Sequence, residues 1–177
     1  MPTTPLHTIS LLVRNKPGVL VRISLVFSRR GYNIESLVVS PGFAGSSNLD
    51  GYEAEPGEFS RMTITCSGDP QTLEQIIKQL EKLIDVVHAI DHTGQAVIES
   101  EIALLKIQAA MNSRTEILQV AENFKAKVVD YGVESLILRV AGESDKIDAF
   151  VGLLKPYGIV ELVRSGKILM ARGLGTT

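Results

Sequence analysis

The sequence predicts an α+β protein built from two consecutive βαββαβ units. Two observations carry this prediction. Between His7 and Ile90, apolar residues follow strand-like and helix-like spacings in the order strand, helix, strand, strand, helix, strand. The second half of the chain then repeats this order, with apolar residues at matching positions. A chain of 177 residues is long enough for two small domains of this kind.

The first half of the first unit contains a strand, a helix and a second strand. The segment "HTISLLV", from His7 to Val13, is rich in β-branched and aliphatic residues, as expected of a buried strand. Pro17 suits the first position of a helix, where its missing N–H costs nothing. Gly31 predicts the end of this helix, and the alternating segment Asn33–Ser40 predicts a strand. The apolar stripe of the helix is Leu20, Ile23, Val26 and Phe27.

A loop, a strand, a helix and a last strand complete the unit. Pro41–Glu58 is rich in Gly, Ser, Asp and Pro and predicts a mobile loop. Phe59–Ser67 alternates like a strand, Asp69-Pro70 opens a helix, and Val86–Ile90 predicts the fourth strand. This order describes a ferredoxin-like sandwich, in which two helices cover one face of an antiparallel sheet. The apolar stripe of the second helix is Leu73, Ile76, Ile77 and Leu80.

The internal repeat aligns residue by residue. "GDPQTLEQIIKQL" matches "GESDKIDAFVGLL" without gaps at an offset of 74 residues, which places Gly68 on Gly142. Nearer the N-terminus the offset is 94, and the difference of 20 residues is close to the length of the loop, which the second copy lacks. The sequence therefore predicts two domains, residues 1–93 and 100–177, joined by a short linker near Thr93–Ser100. Because a unit of this size leaves a sheet edge exposed, we expect a dimer. At the larger offset, Ile23, Val26 and Ile34 fall on Ile117, Val120 and Val128.

Composition excludes several classes of function. A net charge of -2 and a pI near 5.9 give no electrostatic basis for binding nucleic acid or an anionic membrane. RNA-binding domains of the same topology need exposed aromatic residues on the central strands, whereas aromatic residues make up only 5% of this chain. The single Cys66 excludes an internal disulfide framework and a multi-cysteine metal site. The sequence shows neither a signal peptide nor an apolar run that could span a bilayer, and it predicts a cytoplasmic protein.

Catalytic and metal-binding residues are not predicted. His7, His88 and His92 lie at predicted strand ends, and no carboxylate or cysteine lies at a ligand spacing from them. We therefore expect satisfied polar residues at these positions rather than ligands. Cys66 lies in the middle of a strand and is expected to be a core thiol. No nucleophile elbow, Walker loop or GxGxxG motif occurs.

The turn before the first helix is the candidate binding element. If the helix starts near Pro17, the N–H groups of Gly18, Val19 and Leu20 have no partner within the helix and favour an anion such as a carboxylate. Gly18 has no Cβ and would let a ligand approach the backbone. Asn15 can either cap the helix or accept a hydrogen bond from a ligand ammonium group.

Two interpretations of this turn remain open. An ordinary strand–turn–helix with an Asn cap and a Pro at the first position explains the same residues. The corresponding turn of the second copy, Ala110 to Arg114, contains neither Pro nor Gly, so the fold itself does not require them. Asn33, which opens the second strand directly after the helix, is a further polar candidate.

These residues also carry a resemblance to a known family. "HTISLLVRNKPGVLVRISLVFSRRGYNIESLVVSP" resembles the N-terminus of the small, regulatory subunits of acetolactate synthase, and "FSRRGYNIESL" is its most specific part. The segments "SRMTITCSGD", "LEQIIKQLEKLIDVV" and "ELVRSGKILMARG" extend the similarity from about His7 to Gly173. The family fold is an N-terminal ACT domain followed by an ACT-like, ferredoxin-like C-terminal domain.

The resemblance implies a regulatory function. The family's large catalytic subunit carries thiamine diphosphate, Mg²⁺ and FAD, so no cofactor is expected on this chain. The small subunit raises large-subunit activity and confers feedback inhibition by a branched-chain amino acid, usually valine, in valine, leucine and isoleucine synthesis. The inhibitor binds between the ACT domains of a homodimer. Carried over to this sequence, one wall of the site would comprise Asn15, Pro17, Gly18, Val19 and Leu20, and the other Asn33 and Ile34.

Two features depart from the family pattern. The turn has Lys16-Pro17 where many members carry an acidic residue followed by Ser or His, and the loop Pro41–Glu58 is long.

Two rival functions remain open. One rival is a stand-alone ACT protein that senses an amino acid and acts on another enzyme or regulator. The other is a small ferredoxin-like hydrolase such as an acylphosphatase, which needs an Arg in an anion loop. Arg14 precedes the turn but should point away from it.

Overall fold

The structure is a computed structural model that describes residues 5–42, 55 and 57–173. The N-terminal elements are β1 (Leu6–Arg14), α1 (Val19–Ser28), β2 (Asn33–Pro41), β3 (Phe59–Ser67), α2 (Pro70–Leu80) and β4 (Val86–Asp91). The C-terminal elements are β5 (Val97–Gln108), α3 (Arg114–Asn123), β6 (Lys127–Tyr131), β7 (Ser135–Gly142), α4 (Ser144–Leu154), a 3₁₀ helix (Lys155–Tyr157), β8 (Ile159–Arg164) and β9 (Ile168–Ala171). Most of the predicted mobile loop lies outside the described residues.

Two antiparallel sheets confirm the predicted α+β fold of two βαββαβ units. The strand orders are β2-β3-β1-β4 and β6-β7-β5-β8, and β9, which the sequence did not predict, pairs with β5. By their internal contacts, residues up to Ile98 together with those from Lys167 form one compact unit, and Glu99–Gly166 form the other. The predicted linker near Thr93–Ser100 is too long, because Val97 to Ser100 already belong to β5.

Each unit has its own hydrophobic core, and the repeat relates the two cores. In the first, α1 and α2 pack on the apolar face of the sheet, where Ile9 and Ile64 are fully buried. In α2 the buried residues are Leu73, Ile76 and Leu80, and in α4 they are Ile147, Phe150 and Leu154. These are the positions that the offset of 74 residues equates, so the predicted alignment of the two helices is confirmed.

The two helices of the first unit differ in how well their starts were predicted. α2 begins at Pro70, and the carboxylate of Asp69 accepts a hydrogen bond from the Thr72 N–H at 2.8 Å, as the sequence indicated. α1 instead begins at Val19, so the prediction that Pro17 takes the first helical position is wrong. The physical reason is Gly18, whose φ of 83° turns the chain just before the helix and leaves Pro17 outside it.

Two of the three histidines, His7 on β1 and His92 directly after β4, are polar residues that the protein itself satisfies. Nε2 of His7 donates to the carbonyl oxygen of Gly68 at 3.0 Å, and its Nδ1 lies 3.2 Å from the Thr93 hydroxyl. Nε2 of His92 lies 2.7 Å from the buried hydroxyl of Ser10. For these two residues the structure agrees with the prediction.

A charged cluster lies in the C-terminal unit. Arg164 on β8 donates to the carboxylates of Glu101 on β5 and Asp148 on α4. The Glu101 side chain is only 4% exposed, whereas that of Asp148 is 60% exposed. Arg164 therefore neutralises a carboxylate that is almost fully buried in the sheet.

The buried Cys66 predicts a loss of stability at alkaline pH. Burial first, and then the nearby charges of Asp91 and Glu35, raise the pKa of the Cys66 thiol from 9.0 to about 11. Between these values the unfolded chain loses the thiol proton while the folded chain keeps it, so the free energy of unfolding falls as pH rises. We expect a Cys66→Ala variant to show a shallower decline than wild type in urea unfolding at pH 8, 9 and 10. Equal slopes would contradict this contribution.

Candidate functional site

The turn between β1 and α1 is held by hydrogen bonds to the end of the long loop. The backbone N–H of Asn15 donates to the carbonyl oxygen of Glu58, and its side-chain amide donates to that of Gly57, at 2.8 and 2.9 Å. Asn15 is thus not the helix cap, and its side-chain oxygen has no donor among the described residues. Gly18 has open space around it, since a Cβ built there would meet no atom within 4 Å.

The start of α1 leaves backbone N–H groups without acceptors. Among the described residues, Val19 makes one long bond to the carbonyl oxygen of Lys16 (3.4 Å), and the N–H groups of Gly18, Leu20 and Val21 make none. Such groups, at the positive end of the helix dipole, attract an anion. Every α-helix leaves the N–H groups of its first turn without helical acceptors, and the open space at Gly18 leaves no side chain beside those of Leu20 and Val21.

In the C-terminal unit a side chain crosses the corresponding turn. Arg114, which the offset of 94 residues equates with Leu20, donates its backbone N–H to the carbonyl oxygen of Ala110 at 3.0 Å. Its guanidinium donates to the carbonyl oxygens of Gly132 (2.8 Å) and Val133 (2.6 Å) and so bridges the turn to the β6–β7 connection. Among the described residues, the N–H groups of Thr115 and Glu116 in the first turn of α3 also lack acceptors, so the two units differ in the Arg114 side chain that crosses the turn and not in the N–H groups themselves.

A groove of about 430 Å³ lies at the other end of α1. Its volume is within the usual range of small-ligand sites, on the order of 300–1,000 Å³. Asn33 and Ile34 line it, as the sequence analysis proposed for one wall of a site. The remaining lining residues, which sequence reasoning missed, are Ser24, Phe27, Ser28, Gly31 and Tyr32.

Asn33 is oriented by its neighbours on the sheet. Its side-chain amide donates to the carboxylate of Glu35 at 3.0 Å, and the Ser67 hydroxyl donates to the same oxygen at 2.9 Å. These two hydrogen bonds hold the pKa of Glu35 below its ordinary value, so the carboxylate stays ionised and the amide stays in place. The Asn33 side-chain oxygen is left as an acceptor for a ligand donor.

The turn and the groove lie at opposite ends of one sheet. Asn33 pairs through Ser67 with Leu6, at the start of β1, whereas Asn15 follows the end of that strand. A strand of nine residues spans about 27 Å, so one chain cannot bring Asn15 and Asn33 to the same small ligand. A site that contains both residues requires a second copy of the chain.

The structure divides the seven candidate residues between the turn, the groove and the core. Asn15, Pro17, Gly18 and Leu20 are exposed around the turn, and Asn33 and Ile34 border the groove. Val19 is 3% exposed and points into the core, so only its backbone can meet a ligand. Ser24 and Ser28 are one helical turn apart, so their spacing places them on one flank of α1, but it does not show that this flank borders a groove.

Metal and membrane features are absent from the described ranges. Across residues 5–42, 55 and 57–173, no group of three or more His, Cys, Asp or Glu side chains is arranged to hold a metal ion. No helix in this part of the chain is both long and apolar enough to cross a bilayer.

Comparison with known proteins identifies the family. Residues 9–88 match the family of AHAS small subunit-like ACT domains, and residues 100–173 match the family described as the small subunit of acetolactate synthase. The probable acetolactate synthase small subunit of Archaeoglobus fulgidus is 44% identical over 94% of this chain and 97% of its own length. The acetolactate synthase small subunit of Mycolicibacterium smegmatis is 42% identical, with 96% and 93% covered.

A solved structure shows the same arrangement of elements. The acetolactate synthase small subunit of Thermotoga maritima matches with a TM-score of 0.78 and 34% identity, over 96% of this chain and 98% of that one. Similarity at this level runs through both units. The chain belongs to the family of acetolactate synthase small subunits, with an N-terminal ACT domain.

Proposed function

We propose that this chain is the regulatory subunit of an acetolactate synthase. It activates a large catalytic subunit that carries thiamine diphosphate, Mg²⁺ and FAD, and it has no catalytic site or cofactor of its own. It also confers feedback inhibition by a branched-chain amino acid, with valine as the first candidate. The names of the relatives, which are all small subunits of this enzyme, support the assignment.

The observation that carries the proposal is the open start of α1. The N–H groups of Gly18, Leu20 and Val21, which have no acceptor among the described residues, offer a site for a carboxylate, and no side chain crosses this turn as Arg114 crosses that of the second unit. The side-chain oxygens of Asn15 and Asn33 can accept hydrogen bonds from an ammonium group. Leu20 and Ile34 supply apolar surface beside these polar groups. A zwitterion with an aliphatic side chain matches this set of donors, acceptors and apolar atoms.

A homodimer that pairs through β2 would assemble the site. β2 is an edge strand, so its outer backbone groups are available for pairing. Antiparallel pairing with β2 of a second copy reverses the strand direction, which brings Asn33 of the second copy to the end where Gly18 lies. Leu20 and Val39, which are 41% and 46% exposed near this end, would be covered by such a pairing. Each dimer would then hold two equivalent sites.

Inhibition requires the amino acid to prefer one arrangement of the complex. A ligand that ties two ACT domains together changes large-subunit activity only if it binds the less active quaternary state more tightly. Couplings of this kind are typically about 1–3 kcal/mol. The homodimer interface places the ligand where it can exert such a preference.

Reconstitution with the large subunit tests the proposal. We expect this chain to raise acetolactate formation by its cognate large subunit several-fold, and L-valine to reverse part of that increase. Binding of L-valine without any effect on acetolactate formation would favour the rival function, a stand-alone amino-acid sensor. If the chain neither bound L-valine nor changed large-subunit activity, the proposal would be wrong.

A further inference from the structure

Tyr32 lies between the groove and the start of α2. Its ring lines the groove beside Asn33, yet the residue is only 8% exposed. Its backbone N–H donates to the carbonyl oxygen of Phe27 at 3.1 Å, which fixes it to the last turn of α1. Its hydroxyl donates to the backbone carbonyl oxygen of Asp69, the N-cap residue of α2. One side chain therefore joins the wall of the groove to the first turn of the neighbouring helix.

The carbonyl group that Tyr32 contacts belongs to the first hydrogen bond of α2. The Leu73 N–H donates to the same Asp69 oxygen at 3.1 Å, and the Thr72 N–H donates to the Asp69 carboxylate at 2.8 Å. Burial and the nearby Asp69 charge raise the pKa of Tyr32, so the phenol keeps the proton that makes its hydrogen bond. A displacement of the ring acts directly on the acceptor of the first helical turn.

Close packing limits how far the ring can move. A Cβ added at Gly68 would overlap Cζ of Tyr32, so the ring rests directly on the backbone there. The guanidinium of Arg30 also donates to the side-chain oxygen of Gln75 on α2, which gives the α1–β2 turn a second link to that helix. Movement at the groove cannot be absorbed by a gap at this junction.

The C-terminal unit shows that the fold does not need this aromatic residue. Ala126 stands at the position of Tyr32, and its N–H donates to the carbonyl oxygen of Ala121 at 2.8 Å in the same backbone arrangement. Gly142 stands at the position of Gly68, with the Lys146 side chain as its nearest neighbour. The aromatic ring and its hydroxyl are thus present in the unit that contains the groove and absent from the equivalent position of the other unit.

We propose that Tyr32 is a positioning residue that couples occupancy of the groove to the first turn of α2. An amino acid held against Asn33 fixes the neighbouring ring, and the fixed hydroxyl then stabilises the Asp69 carbonyl and the turn that it closes. The stability of the first turn of α2 therefore depends on whether an amino acid occupies the groove. This inference rests on the proposed function, since it requires an amino acid in the groove.

Hydrogen exchange on the full-length chain tests the coupling, with L-valine as the probe. In wild type we expect saturating L-valine to slow exchange of the Thr72 and Leu73 amides by about fivefold or more, the lower end of typical coupling between sites. The matched amide of α4, that of Ile147, should not change. In Tyr32→Phe, which keeps the ring and removes only the hydroxyl, L-valine at a concentration that saturates the variant should no longer slow exchange in α2. Tyr157→Phe removes a hydroxyl in the other unit and should behave as wild type.

The outcomes separate this inference from the function on which it rests. Failure of wild type to bind L-valine overturns the proposed function and the coupling with it. Binding without slower exchange in α2 of wild type overturns the coupling alone. Equal slowing in wild type and Tyr32→Phe does the same, because it shows that the hydroxyl transmits nothing.

Discussion

A Gly18→Asp variant is expected to bind L-valine about 100-fold more weakly than wild type, which corresponds to about 3 kcal/mol of repulsion. The added carboxylate would lie beside the open N–H groups of Leu20 and Val21, where the carboxylate of the amino acid is proposed to bind. Isothermal titration calorimetry on the full-length chain measures the change. The same variant should make the reconstituted enzyme insensitive to valine.

Gly18→Asn is the matched control. Asn and Asp have the same shape and both tolerate the positive φ of 83° at this position better than other residues. A Cβ at Gly18 meets no atom within 4 Å, so neither side chain is excluded by space. We expect Gly18→Asn to keep affinity within about tenfold of wild type, since it adds no charge. If the Asp and Asn variants bound L-valine equally well, the turn would not hold a carboxylate.

Arg164→Met should cause the largest loss of stability in the C-terminal unit. It leaves the carboxylate of Glu101, which is 4% exposed, without its cation, and uncompensated buried charges typically cost about 3–5 kcal/mol. Met keeps the length of the apolar stem, so the effect reports the charge. Hydrogen exchange of the α4 and β7 amides measures the local free energy of opening, which is preferable to a single melting temperature in a chain of two units.

Two further variants isolate the cause of that loss. Asp148→Asn removes the other partner of Arg164, but its side chain is 60% exposed, and we expect a cost below about 1 kcal/mol. The double variant Glu101→Gln/Arg164→Met removes both charges and should recover much of the stability lost in the single variant. An Arg164→Met cost no larger than that of Asp148→Asn would contradict a buried ion pair.

Elements with local stop and start signals were predictable from the sequence. Asp69-Pro70 fixed the start of α2, and Gly31, with a φ of 69°, ends α1. The start of α1 was not predictable in the same way, because Pro at the first helical position and Gly as the N-cap both fit "NKPG". Which of them applies depends on the φ of Gly18, and the loop that holds Asn15 from a distance in sequence helps to set it.

The sequence indicated some residues of the candidate site but not the shape of the groove. Asn33 and Ile34 border the groove, but Ser24, Ser28 and Tyr32 were missed, because their position depends on how α1 is rotated on the sheet. Val19 was assigned to the site although its side chain belongs to the core. A repeat of apolar positions shows that a helix has a buried stripe, whereas tertiary packing decides which flank meets the edge strand.

The central claim is that one amino-acid site is built from two copies of the chain. It is tested most directly by mixing Gly18→Asp and Asn33→Ala chains, each of which is expected to bind L-valine only weakly as its own homodimer. A heterodimer isolated with two affinity tags has one site in which Gly18 and Asn33 are both intact and one in which both are replaced. We predict that it binds one L-valine per dimer with wild-type affinity. If the heterodimer binds no more L-valine than the two parent homodimers, the site is not shared between chains.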